Sequence, residues 1–184
     1  MSGTYDLIIV GGGIGGSALA ATMAKAGKKI LLLEKSMIFE DHVRGEWIAP
    51  WGVAETKRLG LYDTLVAAGG HHLALHVSYD ETRTPQEAEA APLPLDMFVP
   101  DVPGPLCLGH PKHCQTLFDE AKRAGAETKR GVNVTLIEPG SAPRVEYSHE
   151  GKTHEATARL IVGADGRASA VRAACGIDLH QDLS

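Results

Sequence analysis

The sequence predicts an α/β fold with a mainly parallel sheet and an antiparallel β insertion, and three observations carry that prediction. Asp6–Val10 is a short apolar run rich in β-branched residues that feeds directly into a glycine cluster, Gly11-Gly12-Gly13-Ile14-Gly15-Gly16. A small-residue helical stretch follows to about Ala26, Gly27 stops it, and a second apolar strand covers Lys29–Leu33. Much later, Arg159–Val162 reads as a buried strand running into Gly163-Ala164-Asp165-Gly166. A right-handed crossover places both glycine loops at one carboxyl edge of the sheet.

Size and composition set the frame. A chain of 184 residues is one domain or slightly more. With 43% hydrophobic and 22% charged residues it is ordinary for a globular protein. The formal charge of −5, with both signs interspersed, argues against nucleic acid as a partner. No run of 18 apolar residues marks a membrane span. Cys107, Cys114 and Cys175 have no metal-like spacing and read as reduced thiols of a cytoplasmic protein.

Between the two glycine loops the pattern changes repeatedly. Arg44-Gly45-Glu46 lies in a loop. From Gly52 a helical pattern runs, broken by Gly60 and ended by Gly69-Gly70. His72–Tyr79 alternates, which predicts a half-buried strand with Leu73, Leu75, Val77 and Tyr79 on one face. Residues 82–105 carry prolines at 85, 92, 94, 100, 103 and 105 and read as an extended loop or edge hairpin. Residues 72–105 together form the expected insertion. Pro111 suits the first turn of a helix to Ala124, with Leu117, Phe118 and Ala121 inward and Gly125 as its cap. Gly131–Ile137 reads as a strand, Arg144–Ala158 as a hairpin turning at Glu150-Gly151, and Ser169–Ala174 as a last short helix.

The opening device has the parts a dinucleotide needs. Gly11 permits a tight turn, Gly13 lets the backbone approach a pyrophosphate, and Gly16 lets the helix pack closely. The helix N-terminus offers unpaired N–H groups and a favourable dipole to an anion. Glu34 lies 18 residues past Gly16, near the expected spacing of about 20 for an acid that accepts from ribose hydroxyls. Gly11, Gly13, Ile14, Gly15, Gly16, Glu34 and Lys35 are therefore the expected contacts of a Rossmann-like dinucleotide site. This motif alone does not separate NAD from FAD.

Three stretches do. DLIIVGGGIGGSALAATMAKAGKKILLLEK at 6–35, RGEWIAPWGVAETKRLGLYDTL at 44–65 and LIVGADGRASAVR at 160–172 resemble the group A flavin-dependent monooxygenases, relatives of p-hydroxybenzoate hydroxylase. The resemblance implies FAD as cofactor, NAD(P)H and O2 as co-substrates, and hydroxylation of a small organic, aromatic molecule. It implies that Arg44 reaches the FAD and takes part in nicotinamide use, and that Asp165 serves both nucleotides. A surface Arg44 paired with Glu46, and an ordinary Asp-Gly turn at 165–166, are the plainer readings. Arg167 and Arg172 flank Asp165 as candidate phosphate-attracting charges, or as solvated surface charge.

The family's arginine at the start of the later helix is replaced by His110, followed by Pro111 and Lys112. The contact to the flavin chain then falls to His110 or Lys112. The backbone at Val134 is implied to lie against adenine. His72 and His76 share an expected strand face, but no carboxylate or cysteine completes a metal set, so none is expected. The resemblance also implies a longer protein, with most of its substrate-binding sheet downstream. The chain (1–184) then reads as an apparently incomplete FAD-binding domain whose exposed core favours self-association. Two other classes stay open: a non-catalytic FAD-binding module, and a reductase of the prenyl-reductase type.

Overall fold

A computed structural model describes residues 4–41 and 46–180. In chain order, β1 (Tyr5–Val10), α1 (Ile14–Lys25) and β2 (Ile30–Glu34) open the chain. Next come β3 (Trp47–Ile48), α2 (Pro50–Arg58), α3 (Tyr62–Ala67), β4 (His71–His72), β5 (Leu75–His76), α4 (Pro85–Glu89), β6 (Leu93–Pro94) and β7 (Leu106–Cys107). The long helix α5 (His110–Arg123) leads to β8 (Glu127–Arg130), β9 (Asn133–Glu138), β10 (Arg144–His149), β11 (Lys152–Gly163) and α6 (Ala170–Ala174). Two compact units result. One is residues 1–40 with 114–184, and the other is residues 41–113.

The first unit is built on a six-stranded sheet in the order β8-β2-β1-β11-β10-β9. The first four strands are parallel, and β10 and β9 continue as an antiparallel meander. The period-2 alternation of the strands sends Ile8, Val10, Leu31 and Leu33 into a core shared with Val132, Val145, Tyr147, Ala156, Ala158 and Val171. Ile9, Ile30 and Leu32 point the other way and are also buried. Helix α1 packs on β1 and β2. It buries only small residues, Gly16, Ser17, Ala20, Ala21 and Ala24, which lets its axis approach the sheet. Lys25 of α1 and the buried Glu120 of α5 form an ion pair at 2.7 Å.

Strand β11 does two jobs. Its first half pairs antiparallel with β10 across the hairpin tip Glu150-Gly151, both at positive φ, and its second half pairs parallel with β1. The expected buried strand at Arg159–Val162 is thus the end of a 12-residue element. It is also less buried than expected, because Leu160 remains 55% exposed.

The expected strand from Gly131 is β9, and a further strand, β8, precedes it. Gly131, at φ +66°, ends β8 and turns the chain into β9. β8 was hidden because Glu127-Thr128-Lys129-Arg130 has no apolar alternation; it is the sheet edge, where charged side chains are the rule.

The second unit departs further from expectation. The helices end as expected, at Gly60 (φ +65°) and Gly69 (φ +105°). The expected strand at His72–Tyr79 is instead two short pairings. β4 pairs with β7, while β5 pairs with β6, so the chain changes partners at Leu73 and Ala74. Leu73, Leu75 and Tyr79 are exposed rather than half-buried. Within the expected loop 82–105 lies α4, closed by a capping box in which Thr84 and Glu87 satisfy each other's backbone amides, with Pro85 in the first turn. Val53, Leu61, Leu65 and Leu106 are buried in this unit.

Candidate functional site

The site grows from the end of β1. Val10 and Gly163 stand side by side on parallel strands, and the Ala164 amide donates to the Val10 carbonyl at 2.7 Å. The two glycine loops therefore meet at one carboxyl edge, as the crossover rule requires. Gly11 turns at φ +105° and donates to the Leu33 carbonyl at 2.8 Å. A Cβ there would sit 2.2 Å from the Ala164 carbonyl oxygen. A Cβ on Gly16 would sit 1.9 Å from the Gly11 carbonyl oxygen. These two glycines are required by protein packing alone.

Gly13 and Gly15 differ. A Cβ on either meets nothing within 4 Å, and Ile14 and Gly15 are exposed. Gly13 is the N-cap of α1, with no side-chain cap and no acid in the first turn. The first amides of a helix have no intrahelical partner. The structure thus presents an open row of N–H donors at the positive end of a 12-residue helix.

Glu34 closes the turn from the side of β2. Its carboxylate is buried and accepts from the Gly12 amide at 2.5 Å and the Ser36 amide at 2.7 Å. Each oxygen keeps further lone-pair capacity, so ribose hydroxyls can be accepted in addition. Lys35 beside it is exposed. Ser17, fully buried, donates to the Gly12 carbonyl at 2.7 Å.

Asp165 is already employed. Its carboxylate accepts from the Ser169 hydroxyl at 2.5 Å, the Ala170 amide at 2.7 Å and the Val171 amide at 3.2 Å, so it caps α6. Its backbone, not its carboxylate, abuts Gly11. Arg172 is also occupied, with Nη1 donating to the Ile177 carbonyl at the far end of that helix. Arg167 is exposed.

Of the remaining expected residues, Arg44 lies outside those described. His110 is the half-buried first residue of α5, Lys112 is exposed, and both belong to the second unit. Two residues on, burial pushes the His113 imidazole down to about 4, with His110 adding to the shift. Val134 is half-buried on β9, paired with Tyr147 and packed on the core of the first unit. His72 is held by the Tyr62 hydroxyl at 3.0 Å and the Gly104 carbonyl at 2.8 Å, and His76 pairs with Ser78, so each ring has a local partner. Among the described residues no group of three potential metal ligands exists, and no helix is long and apolar enough to cross a membrane. None of the three cysteines forms a disulfide.

Sequence reasoning missed Gly12, Ser17 and Phe118 as parts of this site, and Arg130 as the ladder neighbour of Glu34. Phe118 ring carbons lie 3.0 Å from where a Cβ on Gly12 would stand. The inward phase of Phe118 on its helix was readable from the sequence. Arg130 gave no signal, because its strand was not recognised.

A parallel sheet with a glycine turn, a buried strand-end acid and open helix amides defines a dinucleotide-binding domain. Residues 4–183 match the FAD binding domain family, and the chain belongs to it. Mouse squalene monooxygenase is 33% identical over 175 residues, covering 91% of this chain and 29% of that protein. Digeranylgeranylglycerophospholipid reductase 1 of Methanococcoides burtonii is 30% identical over 97% of this chain and 41% of that protein. Among solved structures, the OxyS anhydrotetracycline hydroxylase of Streptomyces rimosus superposes with a TM-score of 0.79 at 26% identity, covering 98% of this chain and 36% of that one. The chain thus spans about a third of the length of the relatives it matches.

Proposed function

We propose that the chain is the FAD-binding portion of a flavin-dependent monooxygenase that uses NAD(P)H and O2 to hydroxylate a small organic, aromatic substrate. The observation that carries this reading is the wedging of the glycine turn against the Ala164–Asp165 backbone, with Gly13 and Gly15 left open. The likeness to an anhydrotetracycline hydroxylase supports the aromatic substrate.

The residues present fit FAD. The amides around Gly13–Gly16 hold the pyrophosphate. Glu34 accepts from the adenosine ribose while it fixes Gly12, and Lys35 screens the phosphate side. Val134 offers backbone to the adenine. Asp165 orders the loop through α6 and presents backbone to the flavin side. His110 or Lys112 takes the place of the family arginine, and Arg44 aids use of the nicotinamide cofactor. When bound, the flavin supplies the redox chemistry, and the chain's own groups bind, orient and exclude water.

A second reading has its own support. The 30% identical archaeal relative is named a reductase of a prenylated lipid, and the mouse relative a squalene monooxygenase. An isoprenoid substrate, oxygenated or reduced, is the alternative. Exposed Leu160, Ile177 and Leu179 also support self-association of the chain. Purified chain titrated with FAD tests the cofactor. Product analysis on the longer protein with NAD(P)H, O2 and either an aromatic or a polyprenyl substrate tests the reaction. Oxygenated aromatic product supports the main reading, whereas hydrogenated polyprenyl product overturns it.

A further inference from the structure

Arg130 is the last residue of the edge strand β8 and stands beside Glu34 in the parallel ladder with β2. Its guanidinium carbon lies 4.2 Å from the Phe39 ring centroid and 4.8 Å from that of Phe118. The two rings meet edge to face with centroids 6.2 Å apart. Nη1 donates to the Gln115 side-chain carbonyl at 2.9 Å. Gln115 is one turn before Phe118 on α5, so Arg130 grips that helix twice. Phe39 follows β2 in the chain, so the same guanidinium also ties down the segment after Glu34.

Nε and Nη2 of Arg130 are buried and have no hydrogen-bond partner. Unpaired buried donors cost free energy that an apolar side chain of similar length would not. Stability alone therefore gives a weak reason for an arginine here. Position gives a stronger one. Phe118, clamped by the cation, is the side chain that closes on Gly12, and the Gly12 amide is the donor to Glu34.

We infer that Arg130 is a positioning residue for the adenosine end of the bound dinucleotide, acting through Phe118 on the Gly12–Glu34 hydrogen bond. This rests on the FAD-binding reading above. Planarity matters: a guanidinium stacks on two rings and still reaches Gln115, which an ammonium does not reproduce.

The test compares wild-type chain with Arg130→Met and Arg130→Lys. Three quantities are read: the dissociation constant for FAD by flavin fluorescence, that for ADP by calorimetry, and the melting temperature without ligand. Loss of two cation–π contacts weakens FAD and ADP by the same factor, about tenfold, in Arg130→Met. The ligand-free melting temperature stays close to wild type, and Arg130→Lys falls between the two in affinity. A purely structural role would lower the melting temperature and leave the affinity of the folded protein intact, which overturns the inference. FAD weakened with ADP unchanged also overturns it. If Arg130→Met does not fold, the lysine variant decides, and wild-type affinity for ADP in that variant overturns the inference. Wild-type chain that binds neither FAD nor ADP overturns the parent reading and this one together.

Discussion

The two units of this chain make opposite use of their sequence. In the first, β1 and β2 carry unbroken apolar runs at Leu7–Val10 and Ile30–Leu33, Ile8, Ile9, Leu31 and Leu32 are wholly buried, and every turn between them is set by glycine. In the second, residues 41–113 form strands of two residues, and Trp51, Leu75, Met97 and Phe98 face solvent. Local pattern decides structure where a residue's burial and its backbone geometry agree. It decides little where strand pairing is brief and the partner comes from far along the chain. The first unit should therefore be brittle to single substitutions, and the exposed parts of the second tolerant.

The largest effects separate glycines of different kinds. Gly16→Val drives a Cβ into the Gly11 carbonyl and should cost about 4 kcal/mol or more, enough to lose the folded state in a urea or thermal melt. A Cβ added at Gly13 meets nothing within 4 Å, so Gly13→Val should melt near wild type while FAD binding is lost. If both unfold, or both bind, the division between packing glycines and ligand glycines is wrong.

His113 sharpens the contrast from the second unit. Its imidazole, ordinarily near 6.5, is held down to about 4 by burial. Above pH 6.5 both folded and unfolded chains leave it neutral, and its environment carries no penalty. As pH falls from 6.5 toward 4 the unfolded chain takes up a proton that the folded chain refuses. Stability should drop across that window by on the order of 3 kcal/mol. In His113→Gln, urea midpoints should flatten over the same range; an unchanged slope would show that another group titrates.

Glu34→Ala removes the acceptor of the Gly12 and Ser36 amides, which should destabilise by about 2 kcal/mol and weaken FAD in parallel. Stability unchanged with FAD lost would make Glu34 a ligand contact only. The smallest effect is expected from Met97→Ser with Phe98→Ser. Both side chains are exposed, so the melting free energy should stay within about 0.5 kcal/mol. A larger loss would mean the second unit is less tolerant than its exposed surface implies.

Most of the first unit was legible in the sequence, for reasons visible at particular residues. The glycines at 11, 27, 125, 151 and 176 all take positive φ, so the turns could be placed before any packing was known. The capping box at Thr84–Glu87 was equally local but was masked by the prolines around it. What could not be read was non-local. β8 has no apolar alternation because it is an edge, and the pairing of β5 with β6 joins residues with no shared pattern. In the site, Glu34 was identifiable from spacing, but its bond to the Gly12 amide was not. Asp165 was singled out for its place after the strand-end glycine, and its carboxylate holds the Ala170 and Val171 amides of α6.

Titration of the purified chain with FAD tests the central claim most directly. The open amides at Gly13–Gly16 and the buried Glu34 predict saturable, one-to-one binding with a perturbed flavin absorbance band, and its loss in Gly13→Val. A folded chain that leaves the flavin spectrum unchanged up to about 50 µM FAD would contradict the account.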